Sequence, residues 1–300
     1  MGHNHHRDLA SASRPRDAAG AFRWSIALNA GLTVLQLLVG AAFGSLALIG
    51  DALHNAGDVV GLLFGWGAER LSRQPPRGRF TYGFGRSTQI VALINGVLIC
   101  GAGLVVVIEA IQRLHSPVPL TAGPVAWAAA LGIAINVGSA RLFGSGHNHD
   151  LNQRAAVLHL LTDAAVSLAV LISALVVGFT GWLWLDATTA IGVGGAVIWS
   201  AVGLLREAIA LNLDAVPRHV DLGRVEADLL ALPGVIRVED LHVWAVSTSR
   251  TALTAHLVLA PAWFADPASS TDSLIAKARL ALALHGISDT TLQLEESHDH

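Results

Sequence analysis

The chain has 300 residues, a formal net charge of −3 and 14% charged residues, with a mean hydropathy of +0.54. Soluble domains average about 25% charged residues, so most of this chain belongs in lipid, and the slight negative charge excludes a basic nucleic-acid binder. The single cysteine, Cys100, excludes a disulfide framework and a cysteine-rich metal site.

Residues 1–22 form a polar tail containing His3, His5 and His6, with no apolar core and cleavage site of the kind that marks a secretory signal peptide. Nearly every cation is arginine, Lys277 being the only lysine, the usage of a GC-rich bacterial coding sequence. Apolar stretches of about 20 residues, the length that crosses a bilayer, run through 24–43, 47–68, 89–111, 122–143, 156–178 and 183–204. They predict a six-span transmembrane domain over residues 23–207. Arginines crowd the N-terminal tail (Arg7, Arg14, Arg16, Arg23), the segment after the second span (Arg70, Arg73, Arg77, Arg79, Arg86) and the one after the fourth (Arg141, Arg154). By the positive-inside rule this places both termini in the cytoplasm of a plasma-membrane protein.

The pattern changes after residue 205. An amphipathic helix runs from about Arg218 to Leu232 and stops at Pro233-Gly234. Two β-rich runs follow, Val235–Val246 and Thr251–Leu259, then a second amphipathic helix over 271–284 and a last strand over Thr290–Glu295. The expected fold class is therefore a membrane all-α six-helix bundle followed by a small cytoplasmic α+β domain of order αββαβ, residues 208–296. A C-terminal tail, 297–300, carries His298 and His300.

Two spans hold the same pair of polar side chains, His54-x-x-x-Asp58 in the second and His159-x-x-x-Asp163 in the fifth. A charge in the hydrocarbon core is costly and rarely present without a function. A four-residue spacing stacks the two groups on one helix face. Two such helices side by side offer two imidazoles and two carboxylates, a tetrahedral set for a borderline divalent ion such as zinc. Two ionised Asp, two neutral His and one divalent cation sum to zero charge. When the metal leaves, protons relieve the carboxylates, so metal–proton exchange is the expected coupling, with at most two protons by charge balance. The bland alternative is that these groups only make interhelical hydrogen bonds.

Other polar residues in the spans read as structural. Asp51 is expected to be structural or an entry-side carboxylate. Asn29, Gln36, Asn95 and Asn136 are expected to bond between helices, and Glu109 and Arg113 to form an ion pair. Gly57, Gly61 and Gly65 form a small-residue stripe about 100° around the helix from His54 and Asp58, which permits close helix approach. An intramembrane metalloenzyme is disfavoured: the chain lacks His-Glu-x-x-His, and four protein ligands leave no open coordination position. A membrane-anchored zinc sensor without flux is the alternative to a carrier.

Five stretches carry a family resemblance: SLALIGDALHNAGDVVG from Ser45, FTYGFGRSTQIVALINGVL from Phe80, DLNQRAAVLHLLTD from Asp150, LPGVIRVEDLHVWAVSTSRTALTAHLVL from Leu232, and TLQLE ending at Glu295. In these the chain resembles the cation diffusion facilitator family, zinc-transporting type. The resemblance implies a ferredoxin- or metallochaperone-like cytoplasmic domain, a homodimer, and proton-driven zinc export by alternating access. It also puts His54, Asp58, His159 and Asp163 on the family's transport site. His/Asp ligation also suits cobalt or iron(II), and cadmium is a plausible secondary substrate. The family's second site lies in the loop after the second span. Here that loop, RQPPRGRFTYGFGR, has no His, Asp or Glu, so no metal is expected there. A further site in the cytoplasmic domain is implied at His242, His256 and Glu295, with zinc tightening the dimer. Where the family frequently has a His before the last strand, this chain has Ser288-Asp289. The His-containing tails, and His147 and His149 ahead of the fifth span, suit transient zinc capture.

Overall fold

The structure, a computed structural model, describes residues 15–144, 151–247 and 250–297. The histidines expected to capture metal (His3, His5, His6, His147, His149, His298 and His300) lie outside the described residues. Among the described residues, six helices are long and apolar enough to cross a membrane. They are α1 (Pro15–Phe43), α2 (Leu46–Ser72), α3 (Ser87–His115), α4 (Ala122–Gly144), α5 (Leu151–Thr180) and α6 (Trp184–Asn212). Several outrun their apolar windows; α2 continues to Ser72 and α6 to Asn212, because helical geometry persists past the point where residues turn polar.

The chain divides into two compact units. The first contains residues 98–200 and the chain up to Val60. Within it α4 and α5 make the most extensive helix pairing, and α1 packs on α4. Its core is Leu46, Leu48, Val106, Val125, Ala128, Ala129, Val170, Ala174, Val193 and Val197. Gly103 and Gly194 face each other, and a Cβ on either would lie 3.2 Å from the other's carbonyl oxygen. Two glycines thus let α3 and α6 come together, as small residues do in lipid.

The first two spans meet at a turn at Gly44, whose φ of +83° and close approach to the Pro119 carbonyl both require glycine. Helix α2 then begins inside the first unit, where its unpaired amides have no water to meet. Asp186, in the first turn of α6, satisfies them. Its Oδ2 accepts from the amides of Leu46 (2.7 Å) and Ala47 (3.4 Å), and its Oδ1 accepts from Ser45 Oγ at 2.6 Å. Ser45 Oγ in turn accepts from the Leu48 amide at 3.1 Å. Arg113 donates to the Gly44 carbonyl (2.8 Å) and to Glu109 (3.1 Å), the ion pair expected from their spacing.

The glycine stripe of α2 faces α3. A Cβ at Gly57 would meet Ile99 at 2.8 Å and one at Gly61 would meet Asn95 at 2.7 Å, while Gly65 has open space. The expected interhelical bonds of two asparagines do not form. Asn95 Oδ1 and both amide atoms of Asn136 are buried without a hydrogen-bond partner among the described residues.

The second unit contains residues 61–97 and the chain from Ala201 onward. Its C-terminal portion follows the expected αββαβ order with one addition. Helix α7 (Leu222–Leu230) precedes β1 (Val235–Ser247) and β2 (Arg250–Leu259), then come α8 (Pro261–Ala265), α9 (Thr271–Leu284) and β3 (Ile287–Glu296). The short α8, with Pro at its start, was not expected; it is a single turn too brief to show a periodic pattern. Strand β3 starts at Ile287 rather than Thr290. The sheet order is β1-β2-β3, antiparallel between β1 and β2 and parallel between β2 and β3. Val225, Leu229, Leu253, Leu257, Leu274, Ala278 and Leu282 fill the core between helices and sheet. Asp221 and Ser270 cap α7 and α9 through the amides of Arg224 and Ser273. Within the same unit Gln89 donates to the Ala245 carbonyl at 3.0 Å and Arg250 to the Tyr82 carbonyl at 3.1 Å, which ties β1 and β2 to the start of α3.

Replacing Asp186 leaves the first amides of α2 and Ser45 Oγ without their acceptor in a buried setting. Asp186→Ala is expected to cost about 2 kcal/mol of stability, read as a lowered thermal unfolding midpoint in detergent. Asp186→Asn keeps an acceptor and should lose less.

Candidate metal centre

Three of the four expected ligands, His54, Asp58 and Asp163, form one compact group, and His159 adjoins it through Asp58. Along α2, His54 and Asp58 are stacked one turn apart; along α5, His159 and Asp163 are stacked the same way. His54 Nε2 lies 3.3 Å from Asp163 Oδ1, and His159 Nε2 lies 3.2 Å from Asp58 Oδ2. Within each helix the separations are longer, 4.0 Å from His54 to Asp58 and 3.7 Å from His159 to Asp163. Each imidazole therefore pairs most closely with the carboxylate of the other helix. Their rings stand nearly edge to face, with centroids 6.2 Å apart at 78°.

Zinc holds nitrogen and oxygen donors at about 2.0–2.2 Å in a tetrahedron, which sets donor–donor edges of roughly 3.3–3.6 Å. The four His–Asp separations, 3.2 to 4.0 Å, bracket that edge. Donor atoms of His54, Asp58 and Asp163 all lie within 4.8 Å of one another, the one such three-residue group of His, Cys, Asp and Glu among the described residues. The site has an open and a closed side. The Asp163 side chain is 5% exposed and that of His54 17%, while Asp58 keeps 34% and His159 50%. Asp58 and His159 thus form the more exposed side of the cluster, and Asp163 its buried side.

Asp51 belongs to a different arrangement. It is fully buried, and its Oδ2 accepts from Gln36 Nε2 of α1 at 2.9 Å and from Ser167 Oγ of α5 at 2.8 Å. That burial makes it structural and rules out the entry-side alternative. Gln36 bonds between helices as expected. Ser167 escaped notice in the sequence, although its position four residues after Asp163, on the same face, was the available signal. Asp186 was likewise overlooked, because an acidic residue at the start of a span is usually read as a surface group.

The cytoplasmic set assembles only in part. His256 Nδ1 lies 2.9 Å from Glu295 Oε1 and 3.8 Å from Asp240 Oδ2. His242 stands across from Thr254 in the β1–β2 ladder and lines an open groove with Asp214, Val216 and Trp244. A bulge between Glu239 and His242, with Asp240 at a φ of +49°, breaks the strand between the two histidines. His242, His256 and Glu295 do not form a group whose donors lie within 4.8 Å of one another. His256 and Glu295 are in contact, and His242 does not join them.

Residues 23–211 match a family model described as the cation efflux transmembrane domain, and residues 217–297 match one described as the cation efflux protein, cytoplasmic domain. The chain is similar to the metal cation efflux system protein CzcD of Cupriavidus metallidurans, 33% identical over 258 residues that cover 86% of this chain and 80% of the relative. It is also similar to the zinc transporter ZitB of Escherichia coli, 32% identical over 264 residues covering 87% and 83%. A cadmium, cobalt and zinc/H(+)-K(+) antiporter of Bacillus subtilis is 26% identical over 303 residues, covering 100% of this chain and 94% of the relative.

Each imidazole lies within ion-pair range of two carboxylates, so a divalent cation and protons compete for the same lone pairs. Zinc affinity of the purified protein is expected to fall about tenfold or more from about pH 8 to about pH 6, with protons released on binding. Calorimetry in two buffers of different ionisation enthalpy reads both quantities; a flat affinity with no proton release would contradict the arrangement.

Proposed function

The chain belongs to the cation efflux family, and from that premise we propose that it is a secondary transporter carrying zinc out of the cytoplasm in exchange for protons. The observation that supports this reading best is the crossed pairing of His54 with Asp163 and of His159 with Asp58 between two membrane helices. With zinc bound, two neutral imidazoles, two carboxylates and the dication have no net charge, so the low-dielectric surroundings impose no Born penalty for an excess charge. With zinc gone, a proton on each imidazole makes two imidazolium–carboxylate pairs, again with no net charge. Two protons are thus the electrically silent replacement for one zinc ion, and each has an acceptor within about 3.3 Å. An intermediate holding neither metal nor protons leaves two bare carboxylates facing each other, which disfavours movement of the empty, unprotonated site.

The protein acts by alternating access at this His2Asp2 cluster. Arginine placement supports cytoplasmic termini in the inner, or plasma, membrane and hence efflux. The donor set also accommodates cadmium, cobalt or iron(II), and CzcD and the Bacillus antiporter carry names that include such ions or metal cations generally. The C-terminal domain serves as the homodimer contact. His256 and Glu295 are its best-placed donors for a zinc ion that would tighten the dimer.

Zinc flux into proteoliposomes under an imposed proton gradient tests the reading. Asp58→Ala or Asp163→Ala is expected to lower flux by about 100-fold or more, since removing one charge of a buried neutral set costs about 3–5 kcal/mol. Normal flux in either variant, or zinc binding by the wild type with no flux at all, would reject it; the second outcome would favour a sensor.

A further inference from the structure

The contacts between α2 and α5 form a ladder with three rungs. Asp58 opposes His159 at 3.2 Å, His54 opposes Asp163 at 3.3 Å, and Asp51 opposes Ser167 at 2.8 Å. Position numbers rise along one helix as they fall along the other, the register of an antiparallel pair. The first two rungs are made of the groups that would hold the metal, so they exchange partners whenever an ion or a proton arrives. The third contains no such group. Its carboxylate oxygen also accepts from Gln36 Nε2 at 2.9 Å, and Gln36 Oε1 is in turn held by Asn55 Nδ2 at 3.3 Å. All four residues are at most 3% exposed. Helix α4 makes room for the junction with Gly132, where a Cβ would lie 3.0 Å from both Gln36 Nε2 and Ser167 Oγ.

We propose that Asp51 is a positioning residue of the metal centre: it clamps α2 to α5 through Ser167, and to α1 through Gln36, and so keeps the two His-Asp pairs opposed while their own contacts are being exchanged. The inference rests on the proposed transport site. Asp51 lies one turn before His54 and Ser167 one turn after Asp163, so a shift of either helix at this rung is passed directly to the donors. The chemistry required of Asp51 is an oxygen that accepts two hydrogen bonds. Its other oxygen, Oδ1, has no partner among the described residues.

The test is zinc affinity of the purified full-length protein by calorimetry, together with the KM and maximal rate of zinc flux in proteoliposomes. Ser167→Ala and Asp51→Ala are each expected to weaken affinity and raise KM by about tenfold, at the lower end of what loss of an outer-shell partner costs a metal site. Asp51→Asn and Ser167→Thr preserve the acceptor and the donor and should restore most of the loss, to within about threefold of wild type. Gly132→Ala reaches the same junction from α4, leaves every polar group in place, and should also raise KM. If Ser167→Ala or Asp51→Ala does not fold, Gly132→Ala and the two conservative variants carry the decision. Wild-type affinity in folded Ser167→Ala or in Gly132→Ala would overturn the clamp, as would an Asp51→Asn defect as severe as that of Asp51→Ala, which would mark the charge itself as the requirement. Asp163→Ala is the control: if it binds zinc as wild type does, the transport site is misassigned; if it loses zinc while Ser167→Ala keeps it, only the clamp fails.

Discussion

Neutralisation of charge between α2 and α5 is the constraint on which the rest of this protein depends. Asp58 and Asp163 lie on helices long and apolar enough to cross a membrane and face imidazoles rather than a set of neutral donors, so a positive partner beside them lowers the cost of their charge. In the proposed mechanism the crossed pairing supplies that partner in two ways, because either a dication among the donors or a proton on each imidazole balances the carboxylates. On that reading, the same equality that lowers the cost of the residues in lipid makes the two loads exchangeable. In this proposed mechanism coupling requires no additional device; it follows from the cost of every other charge state.

The remaining buried polar groups show the same economy applied to backbone and register. Asp186 is placed where α2 begins, and it spends both oxygens on amides and on Ser45 that would otherwise face apolar neighbours. Asp51 ties three helices through Gln36 and Ser167 beside the proposed metal centre. These two carboxylates differ from Asp58 and Asp163 in what surrounds them. Neutral donors enclose Asp51 and backbone amides enclose Asp186, whereas the other two face imidazoles, the groups that take up and release protons near neutral pH.

The two units call on different physics. In the helical unit, close approach comes from small residues such as Gly103 and Gly194, since apolar surface gains little by leaving lipid for another apolar surface. In the C-terminal domain, burial of Val225, Leu229, Leu253 and Leu282 away from water supplies the drive, and the exposed first turns of α7 and α9 are capped by Asp221 and Ser270. His242 stands opposite Thr254, two positions along β2 from His256, a register that local strand patterning does not reveal.

The six spans, the α+β order and the stacking of each His-Asp pair were legible from sequence, because hydropathy, turn residues and a four-residue repeat are local properties of the chain. So was the pairing of Glu109 with Arg113. Ser167, Asp186 and the short α8 were not legible, nor was the direction in which the glycine stripe faces. Their roles depend on which helix lies opposite, and a helix carries no local record of its neighbour. Sequence alone determined which side chains share a face; tertiary packing decided which faces meet, and so set Asp51 between Gln36 and Ser167, left two asparagines without hydrogen-bond partners among the described residues and set His242 apart from His256 and Glu295.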